Sequence, residues 1–341
     1  MIIQNVHFAW KTFLTLCLFG ALQIINSEPI KPSPHLDEHW ESFKTRFNKT
    51  YHPVLENKRR QTWEQNYHMI NKHNEEHKQG LHTYELEINH LADLNQRQYL
   101  REMVRLSQSR RKPSNREITA LPHHNLTAIP EELDWRKEGF ITEPENQEEC
   151  GSCYAFSVAG CLQGQYFKTR KKIVNFSAQQ LVDCSYTSGN LGCAGGSLRN
   201  MLKYVQSVGG VMLEEDYPYT AKQSTCNFKR SKTAIRIKTW GVLPPRDETA
   251  LRNALVTIGP IAVSVNASPI TFQLYAKGVY YDRECKSDSV NHAMLLVGYT
   301  KKAWILKNWW TEEWGEDGYM LLKRGQNACA IANYAAYATI L

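Results

Sequence analysis

The run Asn146-Gln147-Glu148-Glu149-Cys150-Gly151-Ser152-Cys153-Tyr154-Ala155-Phe156 sets Cys153 at the predicted start of an apolar helix. A cysteine that attacks a peptide carbonyl does so as thiolate and needs a base to take its proton. Downstream of residue 124 the chain holds a single histidine, His292. If the base is an imidazole from this half, the pair is therefore Cys153 and His292. A helix N-terminus carries partial positive charge, which stabilises a thiolate and lowers its pKa, and a protonated His292 alongside lowers it further. Asn308 would accept the other imidazole N–H and fix the ring's tautomer. Gln147 would set its amide beside the sulfur and, with the Cys153 backbone N–H, stabilise a developing oxyanion.

The elements that must position these groups are legible in outline. The segment from Cys153 to about Arg170 reads as a helix with Ala155, Ala159, Leu162 and Tyr166 on one face, widened by Phe156 and Val158, and so buried. Strand-like runs follow at Ile261–Val265, Ala293–Tyr299, Ala303–Lys307 and Gly318–Lys323. Helices first and strands later predict an α+β protein of two packed halves. Upstream, Leu36, Trp40, Phe43 and Phe47 make one amphipathic helix. Arg59, Trp63, Asn66, Ile70 and Asn74 make a second, and Asn89, Leu91 and Asp93 alternate as in a strand. Residues 106 to 128 are polar and read as an exposed linker open to proteolytic nicking.

With 341 residues, 42% hydrophobic and 22% charged, the chain can build one large domain or two modest ones. A net charge of +7 is spread along the sequence, which argues against nucleic-acid binding. The apolar run Phe13 to Ile25 behind Lys11 is too short to span a bilayer and reads as a secretory signal peptide over 1–27, with no stable membrane insertion. Apart from Cys17, every cysteine lies between 150 and 329. In an oxidising compartment most of these should pair, and six cysteines allow 15 pairings. The sequons at Asn48, Asn125, Asn175 and Asn266 agree with a secretory route.

The Cys150-Gly-Ser-Cys153-Tyr154 run, with His292 and Asn308 well downstream, resembles the papain and cathepsin family of cysteine proteases. Leu133-Asp134-Trp135 resembles a mature N-terminus. Gly192-Cys193-Ala194-Gly195-Gly196 is similar to the glycine-rich wall along which substrate backbone runs. Asn291-His292-Ala293 and Lys307-Asn308-Trp309-Trp310 resemble the histidine and asparagine segments, with Trp310 covering the Asn308–His292 contact. The upstream helices and the Asn89-Leu91-Asp93 series resemble the inhibitory propeptide of the cathepsin L branch, although Leu55 stands where that motif opens with glutamate and Glu56 falls one residue late.

The resemblance implies a papain-like fold with a helical half, a β-barrel-like half and a cleft between them. It implies a signal peptide at 1–27, an inhibitory propeptide at 28–128 (its inhibitor domain about 38–98) and a peptidase domain at 129–341. It selects the bridges Cys150–Cys193, Cys184–Cys226 and Cys285–Cys329, leaving Cys161 as a small apolar core thiol. It puts Tyr334 at the floor of the pocket for the second side chain before the cut bond, with Leu198, Ser264 and Val290 as its sides, a shallow pocket favouring Val over Phe. It implies an endopeptidase made as an inactive precursor and active as a monomer in the lysosome or outside the cell. No cofactor or metal is expected. The expected partners are peptide and protein substrates, the chain's own propeptide, and cystatin-type inhibitors.

Three departures bear on activity. Tyr154 replaces tryptophan after the nucleophile. Trp309 replaces a small serine, and its bulk is expected to crowd the triad. Glu148 and Glu149 put carboxylates near Cys153, which would raise its pKa. They motivate an alternative, a weak or inactive relative that binds peptides or partners, and a further one in which the leader inhibits other proteases in trans. A zinc or thioredoxin-type reading of Cys150-x-x-Cys153 is disfavoured, since zinc needs further ligands at matching spacing. Finally, ten histidines lie between 35 and 124. Their protonation near pH 5–6 would load the leader with positive charge and loosen it.

Overall fold

A computed structural model describes residues 32–107 and 129–341. The proposed signal peptide, most of the polar linker and the Asn125 sequon lie outside the described residues. The leader contains α1 (Asp37–Arg46), α2 (Pro53–Lys78), β1 (Tyr84–Leu86) and α3 (Gln96–Glu102). The stripe predicted from Leu36 is divided. Leu36 closes a 3-10 turn that opens with Pro34, and Phe47 follows the end of α1. Trp40 and Phe43 are buried against Trp63 of α2, with ring centroids 5.5 and 5.9 Å away. Trp63 and Ile70 share the buried face of α2 as their spacing requires.

The polar members of the α2 series hold the returning chain. The Asn66 amide donates to the Ala92 carbonyl at 2.7 Å, and Asn74 exchanges two hydrogen bonds with the backbone of Leu86. The Asn89–Asp93 segment is a turn, not a strand. Asn89 Oδ1 accepts from the Leu91 N–H two residues on, which is the local bond by which asparagine competes with a ladder. The alternation marks anchors. Asn89 Nδ2 donates to the Gln273 carbonyl in the body of the protein, and buried Asp93 accepts from Lys49, Tyr51 and Arg59.

The body begins with β2 (Leu133–Asp134), followed by α4 (Cys153–Arg170), α5 (Ala178–Cys184) and α6 (Leu198–Val208). Next come β3 (Val211–Met212), β4 (Thr233–Ile235), β5 (Ile237–Val242), α7 (Glu248–Thr257), β6 (Ile261–Val265) and α8 (Ile270–Gln273). The chain finishes with β7 (Tyr275–Tyr280), β8 (His292–Tyr299), β9 (Ala303–Lys307), β10 (Tyr319–Lys323) and β11 (Ala335–Ile340). The predicted helix and all four predicted strands form within a residue of their expected limits. The strands of the large sheet run β1-β7-β10-β9-β8-β6-β11-β5, with β2 added beside β8. This path is open, so the expected barrel does not close. The outer edge of β7, onto which closure would have to occur, instead pairs with the leader strand β1.

Helix α4 is buried almost throughout and lies against this sheet. The approach is close enough that a Cβ on Gly164 would sit 2.6 Å from the Pro260 ring, so only glycine fits there. Near its start, Ser157 Oγ donates to the Met294 carbonyl of β8 at 2.7 Å. Through these contacts the N-terminus of α4, which carries Cys153, lies against the end of β8 that carries His292. Bridges join Cys150 to Cys193, Cys184 to Cys226 and Cys285 to Cys329.

Candidate active site

Cys153 is the first residue of the 18-residue α4. Its N-cap, Ser152, makes no side-chain cap, because its hydroxyl bonds the Cys150 carbonyl and the Tyr219 hydroxyl (2.6 Å) instead. The positive helix terminus thus faces the sulfur uncapped. His292 opens β8, and its Nε2–H donates to Asn308 Oδ1 at 2.8 Å. The indole of Trp310 stacks on the imidazole with centroids 4.8 Å apart. His292 Nδ1 has no hydrogen-bond partner among the described residues.

The two groups are held neutral. Burial pushes the Cys153 thiol up to about 12, against backbone hydrogen bonds from Ala293 and Arg105 that favour the thiolate. Burial likewise pushes His292 down to about 4, partly offset by the bond to Asn308. Burial thus opposes the ion pair in this state.

The leader covers the site. Residues 103–107 run through the cleft. The Gln147 side-chain amide donates to the Met103 carbonyl at 3.0 Å, where a reacting carbonyl would be held, and also to the Cys150 carbonyl. Arg105 lies over Gly195, whose φ of +114° suits glycine and whose missing side chain leaves room for the Arg105 carbonyl. The Leu106 N–H donates to the Asn291 carbonyl at 2.8 Å, and the Ser107 N–H to the Gly196 carbonyl at 2.9 Å. Leu106 and Gly196 pair in parallel.

Of the proposed pocket residues, Leu198 and Ser264 are buried and Val290 and Tyr334 half-buried. Both the N–H and the hydroxyl of Ser264 donate to the Tyr334 carbonyl at 2.9 Å, which brings those two together. Cys161 is unbridged and buried in α4, and burial pushes its thiol up to about 11.

The three departures resolve individually. Tyr154 donates its hydroxyl to the Gly192 carbonyl at 2.9 Å and lies beneath Gly196, so it props the glycine wall. Trp309 does not crowd the triad. Its indole is buried against Phe156 of α4, and the Asn308–His292 bond forms regardless. Glu148 and Glu149 are exposed, and the elevation of the Cys153 pKa comes from burial rather than from a carboxylate. The Asn266 sequon is buried, with its amide donating to the Lys286 carbonyl, so it offers no open nitrogen for a glycan in this fold.

Three contributors escaped the sequence reading. Tyr219 donates to the Gln147 carbonyl at 2.8 Å. Lys307 is buried, and its ammonium reaches Thr142, Glu143 and Glu145, which tethers the segment leading to Gln147. Tyr99 of α3 meets the Trp310 ring edge-on. A buried lysine beside Asn308 was the one signal available, since lysine is rarely buried without partners.

Residues 129–339 match the description of the papain family cysteine proteases. The chain belongs to that family. Residues 40–99 match its cathepsin propeptide inhibitor domain, so the chain is a cysteine protease in zymogen form. It is 40% identical to cathepsin K of Mus musculus over 90% of this chain and 94% of the relative. It is also 40% identical to cathepsin 7 of Mus musculus, over 90% and 93%. Its fold is similar to that of a digestive procathepsin L 3 from Tenebrio molitor larval midgut, with a TM-score of 0.81, 32% identity, and coverage of 90% of this chain and all of that one. No helix among the described residues is long and apolar enough to cross a membrane.

Proposed function

We propose that this cysteine protease is an endopeptidase of the secretory pathway, acting in the lysosome or outside the cell, in which Cys153 attacks the carbonyl carbon of the scissile peptide. His292 takes the thiol proton and returns it to the leaving amine, giving an acyl-enzyme that water hydrolyses. Asn308 orients the imidazole through the 2.8 Å bond. Gln147 Nε2 and the Cys153 backbone N–H stabilise the oxyanion. The single observation that carries this reading is the Met103 carbonyl on Gln147 Nε2, because there the leader's backbone stands in for a substrate's.

The leader runs in the wrong sense to be cut. A substrate entering along the glycine wall would pair antiparallel to Gly196, whereas Leu106 pairs in parallel. It therefore occupies the site without offering its bond to the sulfur in reacting orientation. Cleavage near 127–130 and departure of residues 28–128 would uncover Cys153 and lessen the burial that favours its protonated form. The second pocket would take modest aliphatic side chains over Tyr334.

The test is alkylation and hydrolysis before and after acid activation at pH 5. An epoxysuccinyl peptide should label Cys153 only once the leader has been cleaved, and dipeptidyl fluorogenic amides should then be hydrolysed. Cys153→Ala should lose activity by about 10⁴-fold or more. A leader-free protein that neither labels nor hydrolyses would overturn the reading. Preference for Phe over Val at the second position in a peptide library would overturn the pocket assignment alone.

A further inference from the structure

Trp309 stands where the family resemblance leads one to expect a small residue, and its contacts lie beside the proposed reacting groups. Its indole N–H donates to the Ala293 carbonyl at 2.9 Å. The same Ala293 follows His292, and its backbone favours the Cys153 thiolate. The ring stacks on Phe156, one turn into the helix that Cys153 begins, with centroids 5.5 Å apart and planes 26° from parallel. It also reaches Gly160 of that helix, where an added Cβ would meet it at 3.3 Å. The Trp309 carbonyl accepts the Gln147 N–H at 2.9 Å.

The ladder with β6 holds the other edge of β8 as far as His292, but the ladder with β9 does not supply the link to Trp309. The β8–β9 pairing starts at Leu295 and Lys307 and goes no further toward the site. Beyond it the β8 end that carries His292 and Ala293 is tied to the Asn308–Trp309 segment by two side-chain bonds, His292 to Asn308 and Trp309 to Ala293. A small side chain at 309 would leave the second tie unmade and a void beside Phe156.

From this geometry we infer that Trp309 is a positioning residue, whose indole N–H fixes the Ala293 carbonyl while its ring packs on the Cys153 helix, and thereby sets the β8 end that carries His292 relative to Cys153. This rests on the proposed Cys153–His292 chemistry. The indole touches no reacting atom. It acts by holding the carbonyl of the residue that follows His292, so that thiolate and imidazolium form at a set distance once the leader is gone. Misplacing catalytic groups by a fraction of an ångström is costly.

The experiment compares the leader-free wild type with Trp309→Phe and with 3-benzothienylalanine at 309, which keeps the bicyclic shape and replaces only the N–H. Steady-state hydrolysis and the pH profile of iodoacetamide alkylation are both measured. The isostere should lower kcat about 10-fold with KM changed less than about 2-fold, the range seen when a supporting contact is lost. The acid limb of its alkylation profile should rise by about half a pH unit or more, because the thiolate is less well stabilised. Trp309→Phe should do the same with a lower melting temperature, and if it fails to fold the isostere alone decides. Variants matching wild type in kcat and in the acid limb would overturn the inference, as would a lowered melting temperature with an unmoved profile, which would mean that the ring only packs. An inert wild type would instead overturn the proposed chemistry and this inference with it.

Discussion

The leader and the body of this protein are held together by different means. Within the body, α4 meets the sheet through small residues and apolar side chains, close enough that Gly164 admits no substituent. The leader packs its own aromatic cluster of Trp40, Phe43 and Trp63, and attaches to the body through ring contacts, Tyr84 on Tyr280 and Tyr99 on Trp310, and through hydrogen bonds. These are the β1–β7 ladder, Asn89 on Gln273, Tyr99 on the Ala267 carbonyl, and backbone bonds from Leu106 and Ser107. Hydrogen bonds exchange with water at modest net cost, whereas tightly packed apolar surface does not. Part of what fastens an inhibitory segment that must leave is therefore a set of contacts that water can replace.

This contrast can be broken experimentally, starting with the buried polar anchor of the leader. Asp93 is 2% exposed and paired with both Lys49 and Arg59. Asp93→Ala leaves those cations uncompensated and should cost the leader about 3–5 kcal/mol. Precursor processing should then proceed at pH 7, followed by gel over time, while the melting temperature of the cleaved body stays unchanged. Stable precursor at pH 7 would show that the leader does not depend on its anchor.

Gln147→Ala is expected to lower kcat about 10²–10³-fold with KM less affected, since it removes one oxyanion donor. It also removes the bond to Met103, so the leader should be released more readily while the freed enzyme is slower. Equal kcat in cleaved wild type and variant would discard the oxyanion role. Gly164→Ala should destabilise the body by about 1–3 kcal/mol through overpacking against Pro260, read as a lower denaturant midpoint of the cleaved enzyme.

The smallest effect concerns acid release. His90 has both ring nitrogens buried without partners, and burial pushes its pKa down to about 3. Burial also lowers the pKa of His73, which stacks on His82 at 4.0 Å. A histidine depressed in the folded state takes up a proton on release, so docking is unaffected above the free value near 6.5. It weakens as pH falls through that value toward the folded one. His90→Leu should therefore make the leader more resistant at pH 5 by about 1–2 kcal/mol, with little change at pH 7. Processing rates with the same pH dependence as wild type would remove His90 from the mechanism.

Much of the fold was legible because apolar periodicity writes it directly into the sequence. The α4 helix and the strands carrying His292 and ending at Lys307 lie where their alternation and spacing place them. The passage of residues 103–107 through the cleft was not visible residue by residue, because it rests on backbone groups that any side chain carries. Asn89–Asp93 misled because polar anchors spaced by two imitate a strand. Trp309 misled for a different reason. Its size was legible but its direction was not, and the indole points into the core rather than toward the triad.

The neutral sulfur under the leader also matters before any peptide is cut. Disulfide exchange proceeds through thiolate attack, and Cys153 lies three residues from Cys150, which is bridged to Cys193. A protonated, covered thiol cannot compete for that bond. Early loss of the leader would uncover that sulfur beside the first bridge.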